Sequence, residues 1–479
     1  MPEKFVFAGY PSAYLFKEAN EKSTILHQFL WGDTLEHLGQ EQGGFVNVSG
    51  RGSRGWVKKD QAQDRQLLDI IFVDVGQGDS CLVVTPQDER FIIDAGLEDN
   101  MHRYLKWRYK TFKDGVDIKA TFISHPDSDH YEGFRDIFAD SLYKIKTVYH
   151  NGLVERKGKG LAALGTVIKS GDRSWIGDLI TDRPALERFL AREDEWQGKK
   201  YAELLAAFLK KNPAGDVRML SHTQGYLPGY EEYKDLSVQV LGPVVEDKDG
   251  RPTLRSYGDV GKTKNGNSII LSVKYHRVRI LLGGDLNIPS EEFLLGHFAA
   301  GGSGNIFQSD VLKAYHHGSG DFSEDFLRAI QPVVTVISSG DNEDYSHPRA
   351  DALGALGRWS RSARPLIFCT ELARSARDIV KHPFVLRAEY RTLNQTIQDP
   401  ATPKKQREAA EKKRDLLEKK LINRSIAVFG AINLRTDGEK VVMAQKLEKP
   451  KADKRWDIYE LEPDPANNNL LTFRKGGAS

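Results

Sequence analysis

Sulfur-containing residues are scarce in this chain, which has two cysteines and four methionines among 479 residues. Cys81 and Cys369 lie in apolar, strand-like contexts (DSCLVV and LIFCT), which indicates buried free thiols and excludes a disulfide framework. No apolar run approaches the roughly 20 residues that cross a bilayer, and the N-terminal MPEKFVFAGYPSAYLF lacks the apolar core of a signal peptide. These absences lead us to expect a cytoplasmic protein that does not associate with membranes.

An excess of charge of one sign is also lacking. The formal net charge is +2 at pH 7, so any attraction to polyanions has to come from local patches. Hydrophobic residues make up 39% of the chain and charged residues 28%, as in ordinary soluble globular proteins. The length is sufficient for a large core and for about three average domains.

Residues 1–62 have the pattern of a separate all-β unit. Five short alternating runs (KFVF, SAYLF, STILHQF, FVNVSG and GWVKK) are separated by glycine-containing turns, which favours a small barrel. The closing Gly55-Trp56-Val57 resembles the last strand of bacterial SH3-like domains. That resemblance implies a protein or peptide partner, whereas the alternative is a small stabilising appendage. The sequence leaves both open.

Residues 67–449 contain two sets of apolar strands with helical segments between and around them. The pattern predicts an α/β (α+β) fold, a four-layer αββα sandwich of two sheets between helices. Helical insertions are predicted at about 153–230 and 372–424, and residues 450–479 are predicted to be a C-terminal tail.

One run, ISHPDSDHYEGF, puts His125, Asp127, Asp129 and His130 within six residues. Clustered carboxylates repel one another unless a positive charge lies between them, so the run predicts a metal site. It follows the apolar strand ATFIS, and loops held by a rigid strand commonly carry function. An aspartate could instead cap the following helix, but capping explains neither histidine.

Four further motifs accompany this run. In chain order the five are FVDVGQGDS, FIIDAG, SHPDSDH, ILLGGDL and YHHGS. Together they resemble metallo-β-lactamase-fold hydrolases, and most of all the soluble domain of the ComEC family of DNA-uptake competence proteins. A late motif of that family appears as residues 342–348, with Ser346 in place of the usual glycine. The resemblance covers the strand scaffold between about 67 and 449, without the two insertions or the N-terminal unit.

The resemblance implies a centre with two divalent metal ions, Zn²⁺ or Mn²⁺. It assigns His125, Asp127 and His150 to the first ion, Asp129, His130 and His316 to the second, and Asp285 to a bridging position. Asp127 occupies a place where a histidine is usual, which makes the ligand set richer in oxygen and favours manganese without excluding zinc.

Residues around these ligands are assigned supporting roles. Asp94 would orient the ligands and Asp79 would support the loop that carries Asp94. A phosphate oxygen would be bound by His317 and Ser319, and His347 with Tyr345 would do the same or protonate the leaving oxygen. Alternatives remain open: Asp285 could cap a helix, His316 and His317 could form a core pair, and His347 could be a turn residue.

Two basic segments favour nucleic acid as the substrate. Residues 101–113 interleave basic and aromatic side chains, among them Arg103, Lys106, Trp107 and Arg108. Basic groups would follow phosphates while aromatic rings stack on bases, although an amphipathic helix with core aromatics has the same pattern. The second segment, 404–424, is also explained by a solvated helix face.

The sequence therefore predicts a metal-dependent phosphodiesterase or nuclease that uses a metal-bound hydroxide, with Asp129, Asp285 and His347 as catalytic residues. Two alternatives stay open. One is another hydrolase of the same fold acting on a small phosphodiester or ester, because the fold alone does not decide the substrate. The other is a binding or sensor protein that uses the SH3-like unit.

Overall fold

The computed structural model describes residues 4–109, 115–302, 305–340, 345–370, 383–423 and 430–473. Its strands are β1 (Phe5–Ala8), β2 (Ser12–Phe16), β3 (Ile25–Leu30), β4 (Thr34–Gln42), β5 (Phe45–Gly50), β6 (Ser53–Lys58), β7 (Ala62–Gln63), β8 (Leu68–Phe72), β9 (Ser80–Val84), β10 (Arg90–Ala95), β11 (Val116–Ile123), β12 (Tyr143–His150), β13 (Val167–Ser170), β14 (Arg173–Ile176), β15 (Asp216–Met219), β16 (Leu236–Gly242), β17 (Val245–Lys248), β18 (Arg251–Arg255), β19 (Ile270–Tyr275), β20 (Val278–Gly283), β21 (Val311–Lys313), β22 (Val334–Ile337), β23 (Leu366–Cys369), β24 (Ile432–Thr436), β25 (Val441–Lys446), β26 (Trp456–Asp464) and β27 (Leu470–Phe473).

Its helices are α1 (Asn100–Tyr109), α2 (Ser128–Tyr131), α3 (Phe134–Ala139), α4 (Arg183–Leu190), α5 (Glu193–Trp196), α6 (Lys200–Lys211), α7 (Val260–Gly266), α8 (Ile288–Ala300), α9 (Glu324–Ile330), α10 (Ala350–Arg358), α11 (Pro383–Gln398) and α12 (Lys404–Asn423). Short 3₁₀ turns lie at Lys59–Gln61, Gly160–Ala163, His222–Gln224, Tyr315–Gly318 and Pro465–Asn467. Throughout these described ranges, no helix combines the length and the apolarity needed to cross a bilayer.

The N-terminal unit is all-β, as predicted, but has seven strands rather than five. They form one sheet in the order β3-β2-β6-β5-β4-β1-β7. Alternate side chains of these strands, such as Leu15, Phe29 and Val48, point inward and form a small core of their own. The SH3-like character of this unit stays a prediction.

The rest of the chain forms the predicted four layers. A ten-stranded sheet has the order β15-β12-β11-β10-β9-β8-β24-β25-β26-β27, and a six-stranded sheet has the order β16-β19-β20-β21-β22-β23. Both sheets bury apolar side chains in one shared core, which contains Phe72, Ile280 and Val334. On the outer faces, α1, α3, α4 and α6 cover the larger sheet and α8, α9 and α10 cover the smaller one. Burial on both faces explains why these strands are almost wholly apolar.

Two segments differ from the prediction. The insertion at 153–230 contains the predicted helices α4 to α6, but also β13 and β14 of a small four-stranded sheet and β15, which pairs with β12 at the edge of the large sheet. The segment 450–479, predicted as a tail, contributes β26 and β27 to that sheet. Charged residues on the half-exposed face of β26 (WDIYELEPD) conceal its strand character in the sequence.

Candidate metal centre

The candidate ligands leave the carboxyl ends of strands in the two facing sheets. His125 follows β11, Asp285 follows β20 and His317 follows β21. Gly284 allows the two loops to meet, because a Cβ there would lie 2.6 Å from Ser124 Oγ and 2.7 Å from Ser268 Oγ. The sandwich therefore brings residues that are far apart in the chain to one point, at the sheet end where α/β folds commonly bind ligands.

Five side chains form what we call the His–Asp cluster: His125, Asp129, His130, Asp285 and His317. Asp285 Oδ2 lies 3.2 Å from His130 Nε2 and 3.1 Å from His317 Nε2. Asp129 is farther out, with Oδ2 at 3.6 Å from His317 Nε2 and Oδ1 at 4.0 Å from His130 Nε2. Within each of the sets His125–His130–Asp285 and Asp129–His130–His317, one ligand atom of every residue lies within 4.8 Å of the others.

The polar atoms of this cluster fit a divalent cation. His130 Nε2, His317 Nε2 and Asp285 Oδ1 are buried and form no hydrogen bond. Buried polar atoms without partners are costly, so their convergence calls for a group that binds all of them. Imidazole nitrogens and carboxylate oxygens are ligands of zinc and manganese.

The electrostatics of the cluster agree with that fit. Burial by itself would lower the pKa of His130, but the carboxylates of Asp285 and Asp94 outweigh it and raise that pKa well above its usual value. Burial would likewise raise the pKa of Asp285, yet His317 and His130 hold it well below its usual value. The carboxylates thus require positive charge beside them, which a bound cation supplies in place of the histidine protons.

Asp94 contacts the cluster from behind. Its Oδ2 lies 2.8 Å from His130 Nδ1, and its Oδ1 accepts a hydrogen bond of 2.8 Å from the backbone N–H of Ser124. The residue has a φ of 55°, a left-handed conformation that is rare outside glycine and common at functional sites. A contact of this kind limits the direction of the His130 ring, and the orienting role of Asp94 stays a prediction.

A buried lysine that the sequence analysis missed lies on the other side. Lys313 Nζ contacts Asp79 Oδ2 and lies 3.2 Å from the carbonyl oxygen of Gly283, while Asp79 Oδ1 lies 3.2 Å from His317 Nδ1. Asp79, predicted to support a loop, therefore also forms a set with Asp285 and His317. The available signal in the sequence was Lys313 itself, a single charged residue in the otherwise apolar strand that precedes YHHGS.

The two adjacent histidines lie differently with respect to the His–Asp cluster. His317, predicted to bind phosphate, lies in the cluster, whereas His316, predicted as a ligand, belongs to none of the sets described above. Both have left-handed backbones, with φ of 48° and 54°, and so leave the strand end in different directions. His150 is buried at the end of β12 outside these sets, and burial lowers its pKa to about 4. The ligand roles of His316 and His150 stay predictions.

Asp127 borders the His–Asp cluster but belongs to none of the sets described above. It is the N-cap residue of α2, but its side chain forms no capping hydrogen bond, so the helix-cap alternative does not explain it. Its carboxylate instead contacts Lys264 Nζ, and its Oδ2 lies 3.4 Å from His125 Nε2.

Comparison with known proteins decides the family. The profile of the Metallo-beta-lactamase superfamily matches residues 73–340, which include the whole His–Asp cluster. The chain belongs to the metallo-β-lactamase superfamily. It is thus a member of a hydrolase superfamily whose fold implies divalent metal ions, and its His–Asp cluster is the candidate site for them.

Two curated relatives are similar to part of the chain. ComE operon protein 3 of Bacillus subtilis (strain 168) is 26% identical over 311 residues, which are 61% of this chain and 31% of that protein. Competence protein ComA of Neisseria gonorrhoeae is 40% identical over 85 residues, 18% of this chain and 12% of that protein. The match thus spans about a third of the first relative and less of the second. These similarities confirm the resemblance to ComEC-like members of the superfamily.

Among solved structures, a metal-dependent hydrolase from Parabacteroides distasonis aligns with 64% of this chain and 93% of its own chain. The two are 10% identical and the TM-score is 0.29, so this likeness adds nothing to the assignment of the fold.

A row of aromatic rings extends from the His–Asp cluster to the protein surface. Tyr345 is 63% exposed and stacks on His347 at 6.0 Å, and the His347 ring stacks on His317 at 6.4 Å between centroids. Ser319, predicted to bind phosphate, accepts a hydrogen bond of 3.2 Å from the backbone N–H of Asp321. Residues 342–344 of the late motif lie outside the described residues.

The basic side chains of α1 are engaged within the protein. Arg103 pairs with Asp99 at 2.8 Å, Lys106 Nζ lies 2.6 Å from the Tyr390 hydroxyl, and Arg108 pairs with Asp69 at 2.6 Å. Trp107 packs against the core between the larger sheet and its covering helices, and its ring lies beside Arg51 and Lys446. The helix therefore has the packing of the amphipathic alternative. Residues 110–113 lie outside the described residues.

Proposed function

We propose that this protein is a metal-dependent phosphodiesterase that cleaves nucleic acid, with two divalent ions, Zn²⁺ or Mn²⁺, held at and beside the His–Asp cluster. The observation that carries the proposal is the row of rings from exposed Tyr345 through His347 to His317. A nucleobase stacked on the outer ring would place its phosphodiester near the cluster, and base stacking tolerates any sequence.

The residues of the site would have different roles in the hydrolysis of a phosphodiester. When bound, the ions would activate a water molecule and stabilise negative charge on the phosphoryl oxygens. Asp285, His130 and His317 are almost fully buried and would hold the ions in place. The Asp129 side chain is more accessible, at 19%, and remains ionised because His317 and His130 outweigh the effect of burial and lower its pKa, so it would orient the attacking water. His347 is half-buried and would bind the phosphate or protonate the leaving oxygen.

The name of one relative, Competence protein ComA, supports a nucleic-acid substrate, because competence is the ability to take up DNA. One observation favours the second candidate, hydrolysis of a small phosphodiester: the basic groups of α1 that could follow a polymer backbone are already paired. Substrate length therefore distinguishes the two candidates.

The direct test is cleavage by the purified protein, supplied with Mn²⁺ or Zn²⁺, of labelled single- and double-stranded DNA, RNA and bis-p-nitrophenyl phosphate. We expect polymer cleavage that EDTA abolishes and that either ion restores. Cleavage of the small diester alone would favour the second candidate. Absence of hydrolysis of any of these substrates would contradict both.

The stacking role of Tyr345 gives a separate prediction. Tyr345→Ala should raise KM for a single-stranded oligonucleotide at least about fivefold, since one stacked base contributes about 1–3 kcal/mol, while kcat changes little. Tyr345→Phe should retain the wild-type KM. Tyr233→Ala, at a residue that is 79% exposed, is the matched control. A Phe variant as poor as the Ala variant would show that the hydroxyl, and not stacking, contacts the substrate.

A further inference from the structure

We propose that Lys264 is a built-in cation that competes for Asp127 with the metal ion assigned to His125 and Asp127, so that the two ions of the centre bind in sequence and with unequal affinity. The inference rests on the two-ion centre proposed above, and concerns how that centre is filled.

The position of Lys264 is the first observation. The residue lies on α7, and its ammonium group contacts Asp127 Oδ1 and lies 3.1 Å from Glu155 Oε1. Its side chain is 12% exposed, and that of Asp127 is 27% exposed. The ammonium group thus already neutralises the carboxylate that a cation beside Asp127 would need. Two like charges cannot share that place without strong repulsion.

The next residue of α7, Asn265, also occupies atoms that a metal ion at Asp127 would need. In the amide orientation that satisfies its neighbours, the Asn265 nitrogen donates to Asp127 Oδ2 at 2.9 Å and to His125 Nε2 at 3.3 Å. These are two of the residues assigned to the first ion by the family resemblance. Lys264 and Asn265, which are neighbours on α7, therefore already supply donors to Asp127 and His125.

The inner part of the centre is different. Asp285 Oδ1, His130 Nε2 and His317 Nε2 form no hydrogen bonds, and Asp285 Oδ2 faces the two imidazole rings at 3.2 Å and 3.1 Å. A cation placed among these ligands therefore replaces only histidine protons. An ion at Asp127 must displace the ammonium group of Lys264 and the amide of Asn265. Filling should therefore begin at Asp285, His130 and His317 and reach Asp127 at a higher concentration of metal.

Removing the positive charge should reduce the difference in affinity between the two ions. In Lys264→Met, Asp127 and Glu155 would be left as neighbouring carboxylates without the cation that now lies between them. Such a pair attracts a divalent ion, and methionine retains much of the volume of the lysine side chain. Lys262→Met is the matched control, because Lys262 lies on the same helix with an exposed side chain.

The experiment is calorimetric titration of the metal-free, full-length protein with Mn²⁺, with bound manganese counted by elemental analysis. We expect wild type and Lys262→Met to show a tight event and a second event at least about tenfold weaker, or no second event at all. Lys264→Met should bind two ions, with the weaker event tightened at least about tenfold and the tighter one changed less than threefold.

Two equal events in wild type would overturn the proposal, and so would an unchanged or weakened second event in Lys264→Met. Should that variant not fold, Glu155→Gln provides the complementary test, because it leaves Asp127 alone with Lys264. It should weaken the second event, and tightening would contradict the proposal. None of these measurements uses a substrate, so failure to cleave nucleic acid would leave their outcome intact.

Discussion

Asp285→Asn should nearly abolish metal-dependent hydrolysis, with kcat/KM lowered by about 10³-fold, or about 4 kcal/mol of transition-state stabilisation. Asp285 contacts His130 and His317 at once, and its Oδ1 is buried without a hydrogen bond. The asparagine has the same shape but lacks the charge that holds a cation between the two rings. We therefore also expect the tighter ion to bind at least about 100-fold more weakly, which titration calorimetry measures.

The same substitution has a spectroscopic consequence in the metal-free protein. Asp285 is the largest contribution that raises the pKa of His130 and of His317 against the effect of burial, so both pKa values should fall in the variant. An NMR titration of the imidazole signals checks this without any substrate. Asp325→Asn is a suitable control, because that side chain is 71% exposed and pairs with Arg328 on α9. Retention of the metal and of the activity would show that the centre lies elsewhere.

The scaffold could be predicted because its strands have a strong and simple pattern. Strands buried on both faces, such as β8, β9 and β20, are mostly apolar, and motifs of the predicted metal site follow the ends of β8 and β20. Edge elements lack this pattern. β15 and β26 each carry charged residues, and backbone pairing determines their place, which their own sequence does not reveal. β15 pairs with β12 at one edge of the sheet, and β26 pairs with β25 and β27 next to the other edge.

The candidate site could be predicted at the level of motifs and less well at the level of individual side chains. His125, His130 and Asp285 converge, because each follows a strand whose end position is fixed by the sheet. His316 and His317 are neighbours in a turn, and the left-handed backbone that sends the second ring into the cluster has no signature in the letters YHHGS. The sequence gives no sign of the roles of Lys264 and Lys313, because lysine side chains are usually exposed. Here both side chains are largely buried, and each is paired with an aspartate.

Arg435 is a second site at which a single substitution should have a large effect, in this case on stability. It lies on β24 and is among the largest fully buried side chains of the described residues. Its guanidinium pairs with Asp33 at 3.0 Å and with Asp69 at 3.4 Å, and donates to the carbonyl oxygens of Leu30 and Trp31 at 3.2 Å and 2.5 Å. It therefore connects the N-terminal β unit with the sandwich.

Arg435→Met should lower the free energy of unfolding by about 3–5 kcal/mol, the usual cost of removing one partner of a buried ion pair. In the variant, Arg51 still pairs with Asp33 and Arg108 with Asp69. Neither replaces the bond that Arg435 donates from the sandwich to the Trp31 carbonyl of the N-terminal unit. Chemical denaturation followed by tryptophan fluorescence measures the loss. Limited proteolysis should also release the N-terminal unit earlier than in wild type.

The loss should depend on pH with a definite sign. Burial would raise the pKa of Asp33, but Arg51 and Arg435 outweigh it and lower that pKa below its ordinary 3.8. The stabilisation is therefore complete above pH 3.8 and disappears as the pH falls through the lowered pKa, so the two proteins should converge in acid. Arg192→Met is the control, because its side chain is 56% exposed and its pair with Glu195 should contribute about 0–1 kcal/mol. Equal, small losses in both variants would mean that the apolar contacts of Leu30 and Trp31 with Val442 hold the junction without the guanidinium.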